Sequence, residues 1–462
     1  MKRTSRFLLA LMLTGSVLSF SSCSDDDDNG TDIDEQTGEE IVVTASTAGT
    51  GNVTWTADNT YILDGFVFVN EGQTLTIEPG TVIKGRPGTG ENSSALIVAR
   101  GGKIMANGTA DKPIIFTTEE DDVNDPNDIP ATQNGLWGGV IILGNATTNR
   151  GSGGVGAIEG IPTEDTRGQY GGTNDADNSG VFKYVSIRHA GTAIASDNEI
   201  NGLTMGAVGS GTTIEYVEVF ANQDDGFEWF GGTVNTKYLV SAFCGDDMFD
   251  YDEGWRGNNQ FWFGIYVEND GGTGGEHDGG TDPEDGQPYA MPVISNATYI
   301  GSGASRTTTG TLVIRDNAGG KYYNSIFMDF AQGITIEDLA SGEDSRTRLE
   351  AGQIDFQNNI FWNVSDNTFN GIGTVGTTTE PWTVALLSDA AKNNRIINPN
   401  LSGISRTANG GLNPVPATGS SALSGGAAPS GSFFQSTDYV GAFGTTNWLK
   451  GWTYLDQRGY LD

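Results

Sequence analysis

Past residue 40, apolar residues arrive in short bursts, each cut off by Gly, Pro or Asn. Early bursts are Leu75–Ile77, Thr81–Ile83, Leu96–Val98, Ile104–Met105, Ile114–Thr117 and Val140–Leu143. Bursts of that length between turn residues predict β-strands. No stretch beyond the N-terminal leader carries a long helical period. Ile77 and Val98 are 21 residues apart and both lead into a glycine turn, which reads as one repeat length.

The repeat is plainest in mid-chain. Tyr216-Val217 opens a segment reaching Asp224-Asp225-x-Phe227-Glu228-Trp229, and Tyr238-Leu239 opens one reaching Asp246-Asp247-x-Phe249-Asp250-Tyr251, each pair offset by 22 residues. A further step puts Phe261–Phe263 and then Glu268-Asn269-Asp270 in the next row. Later, Asn324-Ser325-Ile326-Phe327 echoes Asn358-Asn359-Ile360-Phe361. Repeats of about 20–25 residues mark a solenoid. The fixed Leu and Asn offsets of leucine-rich repeats are absent, and propeller blades are about twice as long. The prediction is an all-β, right-handed parallel β-helix with three short strands per coil. It spans 41–415, with a capping segment over 416–462. Asp224 then lies beside Asp246, Asp225 beside Asp247, and Phe227 over an interior Phe249. Asn269–Gln287 has no strand signal and predicts a long acidic loop within 269–290, with His277 exposed in it.

Composition narrows the choices. Glycine numbers 68, about twice its usual share, which agrees with many tight turns. The net charge is −35, so a phosphate backbone is repelled and nucleic acid is excluded as a partner. The N-terminus pairs Lys2, Arg3 and Arg6 with an apolar run from Phe7 to Val17, the pattern of a secretory signal over 1–22. Ser21 and Ser22 precede Cys23, which resembles the lipobox of bacterial lipoproteins. That resemblance implies a lipidated Cys23, an outer-membrane anchor and a mature charge of −38 once Lys2, Arg3 and Arg6 leave. Asp25–Asp28 open an acidic tether over 23–40 that is too charged to fold. It resembles the export signal of lipoproteins facing the cell exterior. Cys244 then stands alone, so no intramolecular disulfide forms and a core must supply stability.

The segments Gly211–Val219, Asp224–Asn235 and Gly245–Gly257 resemble a family of bacterial surface proteins with the pectin-lyase-like β-helix. Tyr439–Phe443 and Asn447–Trp452 are similar to that family's terminal segment. The resemblance implies the fold and little about activity. Trp448, Trp452 and Tyr454 are expected to cap the last coil, whose open edge would otherwise template aggregation.

Candidate chemistry gathers in 224–285, where fifteen acids meet only Lys237 and Arg256. Stacked carboxylates point to water, accept corner N–H groups, or share a cation. Ca²⁺ suits the third case because it takes oxygen ligands in number. The candidate ligands are Asp224, Asp225, Asp246, Asp247 and Asp250. Trp229, Tyr251, Trp255 and Trp262 are candidates for a sugar platform, the alternative being interior ladders. A polygalacturonase-like hydrolase would need a downstream Gly-His-Gly and Arg-x-Lys, which are missing. A lyase needs Ca²⁺ and a base, for which Arg256 and then Lys237 are the candidates. Nucleophile elbows, P-loops and zinc spacings are absent, and no organic cofactor is expected. The reading is a non-enzymatic surface module that binds glycan, cation or a partner such as an outer-membrane transporter. The alternative is a polysaccharide lyase acting on acidic sugars.

Overall fold

Val217 pairs in parallel with Leu239, and Phe227 with Phe249, so one coil takes 22 residues in mid-chain. The computed structural model describes residues 38–462 apart from 152, 196–197, 281–282 and 304–309. The expected leader, Cys23 and the tether up to residue 37 lie outside the described residues. The chain forms a parallel β-helix with three faces. Strands such as Thr213–Phe220, Asn235–Ala242 and Asn258–Ile265 bend midway and serve the first and second faces. The third face is a nine-stranded sheet that includes Val140–Leu143, Leu203–Gly206, Phe227–Phe230, Phe249–Asp252 and Glu276–Asp278.

The bend needs a left-handed residue. Tyr184, Tyr216, Tyr238 and Phe261 fill it at φ 49°, 54°, 58° and 64°, and Asn296, Asn324, Asn358 and Asn393 continue the row. Asn tolerates this conformation, whereas a bulky residue there is strained. Ring stacking offsets the strain. Neighbouring centroids along the aromatic part of the row lie 4.4, 4.2 and 4.8 Å apart.

Coil length varies outside the middle. Ile77 pairs with Ala106, while Val98 pairs with Val69 and Ile142, so the 21-residue spacing joins two different faces and is not a coil. A glycine turn marks a corner without saying which corner. Tyr251 pairs with His277, and the extra residues bulge out. The next row is therefore Gly272–Thr273 and not Glu268–Asp270. The expected loop also contains a strand, Glu276–Asp278. His277 is fully buried, stacked 4.1 Å from Tyr251 and 2.7 Å from the Tyr322 hydroxyl. Burial holds its imidazole down at about 3.

Trp229, Tyr251, Trp255 and Trp262 are core residues at 0–1% exposure, which removes the sugar platform. Trp229 stacks on Trp255 at 4.4 Å and on Trp262 at 5.2 Å, and Trp262 stacks on Phe249 at 4.4 Å. Residues two apart on a strand share a face, so an interior Phe227 carries Trp229 inward with it.

The C-terminal segment does not cap the last coil. It lies along the outside of the second face, where Phe220, Val240, Phe263, Ile300 and Ile326 make an outer apolar surface. Trp452 meets Tyr184 and Tyr216 edge-on, Trp448 meets Tyr238, and Tyr454 meets Phe220. Buried Glu218 accepts the N–H groups of Tyr454 and Leu455 at 2.6 and 3.1 Å. At the last coils it is helices Phe369–Ile372 and Pro381–Ser388 that set Ile372 and Leu387 into the core.

Trp262→Ala is expected to cost about 3–5 kcal/mol in urea unfolding, the range for truncating an enclosed aromatic ring. Glu218→Leu leaves two N–H groups without an acceptor, and limited proteolysis read by mass spectrometry should then cut within 441–462 while the coils stay intact.

Candidate cation-binding corner

The corner between the second and third faces repeats one device. The Asn201 side chain accepts the Asp225 N–H at 3.2 Å, Asp225 accepts the Asp247 N–H at 2.8 Å, and Asp247 accepts the Thr273 N–H. Each side chain thereby satisfies the next coil's backbone, which is what short acidic and amide side chains do in turns. Gly226 follows Asp225 because a Cβ there would lie 2.4 Å from the Ser241 hydroxyl.

Stacking concentrates acid beyond what the backbone uses. Ligand oxygens of Asp224, Asp225 and Asp246 lie within 4.8 Å of one another, and so do those of Asp225, Glu228 and Asp250. Asp225 belongs to both trios. Glu228 and Asp250 are register partners on the third face, on the side opposite Phe227 and Phe249. Glu228 was not among the sequence candidates, although the same 22-residue offset that paired Asp225 with Asp247 pairs it with Asp250. Asp247 falls outside both trios, its carboxylate being spent on Thr273.

An insertion between the third-face strands Val140–Leu143 and Leu203–Gly206 shelters this region. Ile158, Ile161, Tyr170 and Ile200 pack there over Ile97, Ile141 and Leu143. Asp225 and Glu228 are each only 8% exposed. Burial holds Asp225, Glu228 and Asp250 well above the usual carboxylate range, and repulsion from Asp224, Glu159 and Asp278 respectively adds to it. Asp252 is pushed up to about 7 by burial and by Glu253. The Asp250 Oδ1 atom is enclosed with no hydrogen-bond partner. An enclosed carboxylate oxygen without a donor, among further carboxylates, fits a hard cation that takes oxygen ligands. Asp224, Asp225, Glu228, Asp246 and Asp250 are the residues that would hold it. A further trio, Glu284, Asp316 and Glu337, is partly exposed, and Asp316 and Glu337 directly follow the third-face strands Leu312–Arg315 and Ile334–Ile336.

The candidate bases stand apart from these acids. The Arg256 guanidinium donates to Gly254 O at 2.7 Å, Thr147 Oγ1 at 2.6 Å and Asp175 Oδ2 at 3.2 Å. Lys237 donates to Phe433 O at 2.8 Å and lies 4.4 Å from the centre of the Phe433 ring, under the C-terminal segment. Arg315 borders the acidic face, paired with Glu276 at 3.0 Å and Asp278 at 2.8 Å, and Arg150 pairs with Glu253. Sequence spacing gave no sign of Arg315, because the strand that carries it comes after the bulged loop.

Comparison with known proteins agrees with this architecture. A family model described as a pectate-lyase like beta helix domain matches residues 46–399. No curated protein and no solved structure matches the chain. With three parallel faces and a match over most of its length, the chain belongs to the pectate-lyase-like β-helix domain family.

Proposed function

We propose that the chain is a lipid-anchored surface module that holds Ca²⁺ at the acidic corner and uses the rigid coil stack to bind a glycan or a partner protein. The convergence of Asp225, Glu228 and Asp250, with Asp250 Oδ1 lacking a donor, is the observation that carries the reading. The ion would neutralise carboxylates that otherwise repel one another in a poorly solvated place. Asp246 is exposed, so a molecule outside could complete the ion's oxygen shell. The lyase reading is the weaker one. It requires a base beside the acids, and both Arg256 and Lys237 are committed to other partners.

The anchor is part of the same proposal and rests on the Cys23 motif. Among the described residues no helix is long and apolar enough to cross a membrane. Cys23→Ala is expected to move the chain from the membrane fraction to the soluble fraction. An unchanged distribution would remove the anchor from the account.

The ion is tested by calorimetry and by pH. Ca²⁺ should bind the full chain with a heat that is lost in the Asp225→Asn, Asp250→Asn double variant. Without metal, carboxyl groups with raised folded-state values favour the folded state while protonated. That contribution is lost as pH rises through those values, about 7 for Asp252 and well above the usual carboxylate range for Asp225, Glu228 and Asp250. In chelator, Tm should therefore fall on going from mildly acidic to mildly alkaline buffer. Ca²⁺ should flatten the fall, since it replaces the lost protons. Identical pH profiles with and without Ca²⁺ would refute the site.

A further inference from the structure

By register, the interior row of the third face runs Met205, Trp229, Tyr251, His277 and Ile314. An imidazole stands out in this row, because enclosing a polar ring is unfavourable unless its polar atoms find partners. Both nitrogens of His277 have one. Nδ1 lies 2.6 Å from Glu276 O, which can only accept, so Nδ1 carries the proton. Nε2 is then a lone pair, and the Tyr322 hydroxyl donates to it at 2.7 Å. Burial keeps the imidazole neutral and holds the Tyr322 phenol above its ordinary value, so the pair rests uncharged. The rings continue as a stack. Tyr251 lies 4.1 Å from His277 and 5.6 Å from Trp255, and Trp255 lies 4.4 Å from Trp229.

We propose that this stack carries one-electron oxidation inward to Tyr322, with His277 Nε2 taking the phenol proton. The co-reactant is an oxygen-centred radical, or another one-electron oxidant, at the protein surface. It takes an electron from the Trp229 or Trp255 indole and is itself reduced. Neither indole has an acceptor for its enclosed N–H, so the oxidised ring keeps its proton and is a radical cation. The electron that refills it comes from Tyr322 through the rings between them. As that electron leaves, the Tyr322 O–H bond breaks and the proton passes to Nε2, which is already at proton-transfer distance. The products are a neutral tyrosyl radical, an imidazolium and the reduced oxidant. The positive charge that burial disfavours moves from indole to imidazole, where Glu276 O supports it. Tyr251 and Tyr266 do not end the path, because their hydroxyls donate to backbone carbonyls, which take no proton. His277, Tyr322 and the stacked rings are 0–1% exposed, so the radical is held away from surface partners. The core thereby acts as a sink for oxidising equivalents that otherwise modify exposed side chains.

The test is flash oxidation of the full chain in calcium-free buffer by photogenerated ruthenium(III) tris-bipyridine, a cation that the net charge of −35 attracts. Transient absorption and electron paramagnetic resonance follow the radicals. The wild type should show a tryptophan radical that decays as a tyrosyl radical grows, and this tyrosyl radical should outlast those on surface tyrosines. Tyr322→Phe should abolish the long-lived tyrosyl signal and prolong the tryptophan one. Tyr251→Phe removes another enclosed hydroxyl, from the ring stacked on His277, and should leave the signal in place. So should Tyr170→Phe, whose native hydroxyl donates to Glu253 at 2.8 Å outside the stack. His277→Gln keeps a hydrogen-bond acceptor without a base and should lose the signal. No long-lived tyrosyl radical in the wild type, its survival in Tyr322→Phe, or equal losses in Tyr322→Phe and Tyr251→Phe would overturn the proposal.

Discussion

Parallel stacking in register governs everything else in this molecule. Each coil lies about 4.8 Å from the next, so a residue type repeated at the coil length meets itself. The outcome depends on which side of the strand it occupies. Inside, the like neighbours are Phe227 and Phe249, whose rings stack 5.5 Å apart and whose burial drives folding. Outside, they are Glu228 and Asp250, whose charges repel. The same geometry that builds the core therefore produces the acidic row.

The bend between the first and second faces shows how sequence and geometry share the cost of a tight corner. Asn occupies the left-handed position in the later coils and aromatic residues in the middle ones. Tyr216 alone would be strained there. Between Tyr184 and Tyr238 it gains two stacked neighbours, and Trp452 closes over the row. The C-terminal segment is thus joined to the strain of the coils. It covers the aromatic row and supplies N–H donors to Glu218.

The proposed cation site lies where stacking leaves a group without a partner. Most corner acids are used by backbone N–H groups, as Asp247 is by Thr273. Asp250 has a carboxylate oxygen left over. An enclosed carboxylate oxygen without a partner is costly, which makes this place more informative than the charge total.

The mid-chain period was written in the sequence because 22 residues return Val217 to Leu239 and Asp225 to Asp247 without insertion. Local pattern also determined the strands, the corners and the concentration of acid at 224–285. It could not say which side of a strand faced water. The second face carries apolar side chains on both sides, and its outer cover, residues 441–462, comes from far along the chain, Tyr454 lying 236 residues beyond Glu218. Burial of Trp229 and His277 and enclosure of Glu228 under a distant insertion follow from such long-range contacts. Tertiary structure decided these because side-chain environment is set by what packs across space, whereas periodicity records only what repeats along the chain.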